Sequence, residues 1–542
     1  MSNKPLLGKS GPFILLIGIS LGTLFFRIGA LPFVGADECR YARIAQEMNQ
    51  SGQWVTPLLQ GYPWLEKPPL YYWITMPSFR WFGVSETSAR LGPALCALLA
   101  AVSIFWLGWK LWSRLAGLLG GTILLTATGF CAYGRSASTD MPITTCFTVA
   151  FVLLSAALFK EKAAFWKVGL AYVSLGLAVL AKGPVAIILA AGIVVLFWTL
   201  DEQGDSLKKL RVVRGTIIAI AVAFPWFWLA YKENGFTFLS VFFINQNFAR
   251  YISDVHHHEA PFYFFLAVLP GLLFPWSAWL PALLPSFPLR RSLDWRSWDR
   301  GALFLTCWAV FPVLFFSLSG SKLPGYILPS LPPVALLLGR RLAQWVECGP
   351  HARVQTAAAW CYLIVSMGVA VAFPIVLERN YGDAWRTGMW LGTAVLLPAI
   401  VAFWFARHRR YRAAFKTTAV QGALLVLAVT LIGFPILAAY DSTREIAIQA
   451  LAAGGDGEPI VTFCYFHHTL NYYTEYRVGA NFLDPPSLLG FASQHPRFLL
   501  VTDKDRVNDL ARISQLSATL LAEQGRLRLL RIKLREPGTA YR

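Results

Sequence analysis

The stretch GPFILLIGISLGTLFFRIGALPFVGADECRYARIAQEM, residues 11–48, runs from an apolar segment straight into a dense set of charges. Its first part, about 12–34, is long enough to cross roughly 30 Å of hydrocarbon as a helix. Its second part places Asp37, Glu38, Arg40, Arg43 and Glu47 where the chain leaves the lipid. Within 37–50, Tyr41, Ile44, Ala45 and Met48 recur at helical spacing, so one face is apolar and the other charged. That pattern predicts a helix lying flat on the membrane surface. The apolar run exceeds the roughly 7–15 residues of a leader-peptide core and opens a chain that stays apolar, so cleavage after Ala36 is not expected.

Similar runs recur along the chain. Of 542 residues, 56% are hydrophobic and 14% charged, against about 25% charged in soluble proteins. The reading is an all-α polytopic membrane protein with about thirteen spans, near 12–34, 90–109, 115–133, 141–159, 165–181, 184–200, 212–231, 262–284, 302–319, 325–346, 354–377, 387–406 and 415–438. Basic residues such as Lys208, Lys209, Arg340, Arg341, Arg409 and Arg410 fall in alternate short loops. The net charge of +19 therefore reads as a topology signal and not as a nucleic-acid surface. These loops share a side with Lys4 and Lys9, which makes that side cytoplasmic. An odd number of spans then sends the C-terminus outside, together with segments 35–89 and 232–261; in a Gram-negative cell, outside is the periplasm. The eight cysteines lie mostly in apolar segments with no CxxC spacing, so neither disulfides nor zinc fingers are inferred.

The chain divides into a membrane domain, 1–440, and a soluble periplasmic domain, 441–542. In the latter, PIVTFCYF, RFLLVT and RLRLLRIKL read as strands and DKDRVNDLARIS as a helix, the alternation of a small α/β domain. It carries no nucleotide-binding glycine pattern, so a structural or docking role is expected.

The outer segments carry the chemistry. Asp37 and Glu38 follow the first span, Glu66 and Lys67 precede PPLYY, Asp140 opens the fourth span, Lys182 sits in AKGP and Lys322 in SGSKLPGYILPS. All fall on one side. Charges kept close to lipid usually have partners or a function, because each would cost about 2.5–3.5 kcal/mol at mid-bilayer. Plainer roles exist for each. Asp37 and Asp140 are placed to cap helices, Glu66 and Lys67 to form a solvated pair, and Lys182 and Lys322 to snorkel. Arg43 and Glu47 read as solvated face. Taken together, carboxylates and cations gathered at one depth imply a cavity for an anionic, lipid-linked substrate.

GADECRYARIAQEM resembles the DE-x-x-Y first-loop motif of polyprenyl-phosphate-dependent glycosyltransferases of the C-type membrane fold. LEKPPLYYW, TDMP, AKGPVA, HHHEAPFYFF and SKLPGYILP are similar to further motifs of that family, in order from residue 35 to about 330. The likeness is greatest to the transferases that move aminoarabinose from undecaprenyl phosphate to lipid A; the protein O-mannosyltransferase branch is more distant. The resemblance implies an inverting inner-membrane enzyme acting on a polyprenyl-phosphate sugar, with lipid A as acceptor. Asp37, then Asp140, would be the catalytic carboxylates. Arg40, Tyr41, Lys67, Lys182, Lys322 and Tyr326 would bind the donor and its phosphate. Glu66, His256 and His258 offer oxygen and nitrogen ligands suited to zinc. Alternatives are a protein or other glycan as acceptor and, from another class, a transporter or flippase for lipid-linked sugars. No internal repeat of the transporter kind is evident.

Overall fold

The computed structural model describes residues 10–159, 165–202, 205–249, 260–283, 296, 298–350, 352–454 and 457–535. Helix α1, Gly11–Ser20, continues as a wider turn through Leu21–Phe25. The span expected over 12–34 thus ends early. The guanidinium of Arg135 takes the carbonyls of Thr23, Leu24, Phe26 and Arg27, and Arg90 takes those of Ile28 and Leu31. Carbonyls that would have continued the helix are satisfied from outside, so the chain turns away. It re-forms as α2, Ala36–Ser51, whose buried Tyr41, Ile44, Ala45 and Met48 are the expected apolar face. A two-residue hairpin follows, β1 (Leu58–Leu59) paired antiparallel with β2 (Tyr62–Pro63), and then α3, Leu70–Phe82.

The membrane helices come next. They are α4 (Glu86–Leu111), α5 (Arg114–Thr126), α6 (Thr128–Gly134), α7 (Asp140–Phe159), α8 (Phe165–Lys182), α9 (Val185–Leu200) and α10 (Val212–Leu239). They continue with α11 (Phe264–Leu273), α12 (Arg300–Ser317), α13 (Leu331–Cys348), α14 (Ala352–Tyr381), α15 (Trp385–Arg407) and α16 (Tyr411–Ala428). Among the described residues, eight helices are long and apolar enough to cross a membrane, or ten if the bent pairs α5–α6 and 264–283 each count as one span. Three expected spans fall short of that test. The segments 11–25 and α9 are too short, and 324–348, whose 18-residue helix is made too polar by Arg340, Arg341 and Glu347, begins as a tight 3₁₀ turn over Pro324–Ser330. Its prolines, at 324, 329, 332 and 333, withhold the amide donors an α-helix needs there. The outer loop expected over 232–261 is helical at its start: α10 bends at Gly235 and runs on as a wide helix over Ser240–Ala249.

Packing follows membrane rules, with small residues at close crossings. A Cβ on Gly339 of α13 would lie 2.6 Å from the Gly120 nitrogen of α5. Trp276, Trp279, Trp308 and Trp345 fill the interior, fully buried.

Beyond α17 (Phe434–Asp441) and α18 (Arg444–Ala453) the chain builds a five-stranded sheet in the order β4-β3-β5-β7-β6. The strands are β3 (Ile460–Phe463), β4 (Val478–Phe482), β5 (Arg497–Asp503), β6 (Leu516–Gln524) and β7 (Leu527–Leu534). β3 pairs parallel with β4 and β5; β7 pairs antiparallel with β5 and β6. The three strands read from sequence are β3, β5 and β7, and the expected helix forms as a 3₁₀ turn, Lys504–Arg506, and a short helix, Val507–Ala511. β4 and β6 escaped that reading. β4 has only half-buried or exposed residues and β6 exposes most of its side chains, so neither carries an apolar run. Helix α19, His468–Tyr473, lies between β3 and β4 and packs its Tyr472 and Tyr473 against α2 and α3.

Candidate active site

One end of the bundle holds a cavity of about 1020 Å³. Six stretches of chain meet in its wall: the segment into α2, the residues before α3, the end of α6 with the turn into α7, the α8–α9 corner, the wide helix after α10, and the end of α12 with the loop and 3₁₀ turn after it. Asp37, Arg40, Tyr41, Glu66, Lys67, Asp140, Lys182 and Tyr326, all singled out from sequence, line it. Apolar side chains complete the wall: Val185 and Ile188 from α9, Phe243 from the wide helix after α10, and Val34 from the segment before α2.

Asp37 stands in the first turn of α2 and pairs with Arg40 one turn on. The Arg40 Nε also donates to the Ala36 carbonyl at 3.2 Å, and its guanidinium lies 5.4 Å from the Trp64 ring centre. Burial works against the Arg40 charge, but Asp37 outweighs it and holds the guanidinium above its usual pKa. Arg40 therefore remains a cation at every working pH. Tyr41 is buried beside this pair; burial first, then the Asp37 charge, raises its hydroxyl well above the usual range, so it stays protonated and able to donate.

Across the cavity, Asp140 opens α7 and pairs with Lys182, the last residue of α8. The Lys182 ammonium lies 5.1 Å from the Tyr326 ring centre. Gly325 permits this approach, since a Cβ there would fall 2.9 Å from the Asp140 Oδ2. Lys322 is turned differently. It is buried, its Nζ donates to the Ser319 carbonyl at 2.6 Å, and it is absent from the wall although Ser319 and Leu323 are in it. It braces the turn behind the cavity. His256 and His258, expected to join Glu66 at a metal, lie outside the described residues; among the described residues no group of three or more His, Cys, Asp or Glu could hold an ion.

Four residues have structural roles that the sequence reading did not foresee. Glu38 makes a bidentate pair with the buried Arg90 of α4, 3.0 Å from Nε and 3.0 Å from a terminal nitrogen. Its Oε1 also accepts the Ala137 amide at 2.7 Å, three residues before Asp140. One carboxylate thus ties α2, α4 and the turn into α7 together. Arg90 and Arg135 lie at the end of the bundle opposite the basic loops, where the positive-inside rule leaves arginine without a reason. That anomaly was the available signal. Glu47 is the fourth. Read as solvated face, it instead pairs with Arg43 at 2.6 Å and accepts the amides of Gln60 and Gly61 at 2.9 and 3.0 Å, holding the β1–β2 turn.

Comparisons with known proteins agree with this layout. A family model described as dolichyl-phosphate-mannose-protein mannosyltransferase matches residues 33–249. An undecaprenyl phosphate-alpha-4-amino-4-deoxy-L-arabinose arabinosyl transferase of Yersinia pestis is 31% identical over 404 residues, 69% of each chain. Proteins of the same name from an Enterobacter strain and from Pectobacterium atrosepticum are 33% and 32% identical over 62% and 64% of this chain. The alignments span 61% and 63% of those two relatives' lengths. The fold is similar to the crystal structure of ArnT from Cupriavidus metallidurans bound to undecaprenyl phosphate, with a TM-score of 0.79, 24% identity and coverage of 97% of this chain and 98% of that one. It is more distantly similar to an Archaeoglobus fulgidus oligosaccharyltransferase, with a TM-score of 0.50, 12% identity and coverage of 92% and 70%. By shared sequence and shared fold, this multi-pass membrane chain belongs to the family of undecaprenyl phosphate-aminoarabinose arabinosyl transferases.

Proposed function

We propose that the protein is an inner-membrane glycosyltransferase that moves a sugar, aminoarabinose or a close relative, from undecaprenyl phosphate to lipid A on the periplasmic side. The observation that carries this reading is the meeting of Asp37, Lys67, Asp140 and Lys182 in one cavity, although they lie far apart in sequence. The names of the relatives support the donor; the acceptor rests on the family resemblance. In this reading the chain crosses the membrane thirteen times, with the N-terminus cytoplasmic. The sheet-bearing tail is then a periplasmic α/β domain of residues 441–542, and 35–89 and 232–261 are periplasmic. The basic alternate loops support that orientation.

The donor's leaving group is a phosphate monoester with a second pKa of about 6, so it departs without a strong general acid. It needs cations where negative charge builds. Arg40, Lys67 and Lys182 supply them, with a hydrogen bond from Tyr326. Two of these cations are already paired with Asp37 and Asp140. The incoming phosphate competes for Arg40 and Lys182 and turns the carboxylates toward the sugar. As the bond from the sugar carbon to phosphate oxygen breaks, its electron pair stays on the phosphate. The carbon gains oxocarbenium character, which Asp37 and Asp140 stabilise. A hydroxyl acceptor gives its proton to Asp37 as its oxygen bonds to that carbon with inversion. A phosphate acceptor is already anionic, and Asp37 then orients it. Lys322 contributes through the turn it braces. A zinc ion held by Glu66, His256 and His258 would add positive charge near the phosphate; none of the steps above depends on it.

Purified protein is incubated in detergent with undecaprenyl-phosphate aminoarabinose and lipid A, and the product is weighed by mass spectrometry. The expected result is lipid A heavier by one sugar. Transfer to a protein or another glycan would replace the acceptor. No transfer from any common donor sugar, with movement of the donor across vesicles instead, would replace the enzyme with a flippase.

A further inference from the structure

The motif HHTLNYYTEY, residues 467–476, belongs to the C-terminal unit and has no part in the chemistry above, yet it reaches the bundle. We propose that Tyr473 is a positioning residue for the catalytic cavity: its hydroxyl ties the Phe33 amide to the Glu86 carboxylate and so fixes the backbone that leads into α2. The inference rests on the function proposed above.

The segment between α1 and α2, residues 26–35, has no regular structure to hold it. Arg90 and Arg135 fasten it by its carbonyls, but an arginine donates only and cannot take an amide. Tyr473 supplies the acceptor. Its oxygen accepts the Phe33 N–H at 2.7 Å, and its O–H donates to Glu86 Oε1 at 2.7 Å. Donating to a carboxylate polarises the hydroxyl and strengthens it as an acceptor. Phe33 is fully buried. Its ring lies between the Arg90 guanidinium, at 5.2 Å, and the rings of Tyr472 and Tyr473, at 5.2 and 6.4 Å. Four residues on is Asp37, and Val34 and Gly35 already line the cavity. The clamp therefore acts at the edge of the site, from a part of the chain some 430 residues away in sequence. Glu86 opens α4, the helix that also carries Arg90, so both ends of the clamp converge on the Glu38–Arg90 node.

Tyr473→Phe keeps the ring against Phe33 and deletes only the hydroxyl. Two readouts are taken on the full-length protein in detergent. Hydrogen exchange of peptides covering 31–40 is expected to rise in the variant, while peptides of β5 and β7 stay as in wild type. In the transfer assay kcat is expected to fall about three- to tenfold, the effect of one lost hydrogen bond, with KM for the donor within about twofold. Glu86→Gln keeps an acceptor oxygen and should restore most of the rate relative to Glu86→Ala. Unchanged exchange over 31–40, an unchanged kcat, or a rise in exchange across the whole C-terminal unit would each overturn the proposal. If wild-type protein transfers no sugar, the functional reading fails by itself, and the exchange data still decide whether the clamp holds the backbone.

Discussion

Asp37 and Asp140 each face a cation of their own, Arg40 and Lys182, and that pairing decides what a substitution does. Asp37→Asn removes the charge and keeps the shape. A fall in kcat of about 10²–10⁴-fold is expected, the usual worth of a general base, with the melting temperature close to wild type. Wild-type turnover would remove Asp37 from the mechanism. Arg90→Ala behaves in the opposite way. It leaves the half-buried Glu38 without its cation, at a cost below the roughly 3–5 kcal/mol of a fully buried pair, and should show as a lower melting temperature before any rate is measured. Melting at the wild-type temperature would mean that Glu38 has found other partners. Both carboxylates stand in one DE dipeptide, and the sequence marks them equally. Their roles diverge only in space: both border the cavity, but Asp37 pairs there with Arg40 while Glu38 is held by Arg90 and the Ala137 amide. No periodicity encodes a contact between residues 38, 90 and 137.

At the scale of the element, α2 was legible because its apolar face repeats with helical spacing. α1 was not, because its end is set by arginines at 90 and 135 taking its carbonyls. Helix α19 is short and was missed for a similar reason: its place is fixed by contact with α2. It begins at His467, whose Nδ1 accepts the Thr469 amide at 3.3 Å, a cap that only an unprotonated nitrogen can make. Burial lowers the pKa of His467, with Asp441 opposing. Burial, then Arg40 and His467, lowers that of His468, with Asp37 opposing. An unfolded histidine titrates near 6.5. Above that value both rings are neutral in either state and nothing is lost. As pH falls through it, the unfolded chain takes up protons first and stability drops until the lower folded values are passed. Thermal melts between pH 8 and pH 5 should therefore show a fall in melting temperature that shrinks in the double variant His467→Gln, His468→Gln. An equal fall in both proteins would place the titration elsewhere.

For the whole molecule, hydropathy and the alternation of basic loops revealed a membrane bundle, and five of six short motifs put residues into the wall of one cavity, the histidines of the sixth lying outside the described residues. That these residues share one hollow came only from packing. Helices α2, α7 and α8, the residues before α3 and the turn before α13 bring residues 37, 67, 140, 182 and 326 to one hollow, and Gly325 is needed for the last of them to close. Sequence spacing holds no measure of such convergence. The sheet of the tail was half legible, since its buried strands announce themselves and its edge strands do not. The central claim is that this hollow receives the phosphate end of a lipid-borne sugar, and photolabelling tests it most directly. Undecaprenyl phosphate carrying a photoreactive group beside its phosphate is bound to the purified protein, irradiated, and the adducts mapped by mass spectrometry. The account predicts labels on peptides holding 34–41, 66–67, 136–140 and 324–326 together, competed away by unmodified undecaprenyl phosphate. Competed labels confined to other parts of the bundle would contradict it.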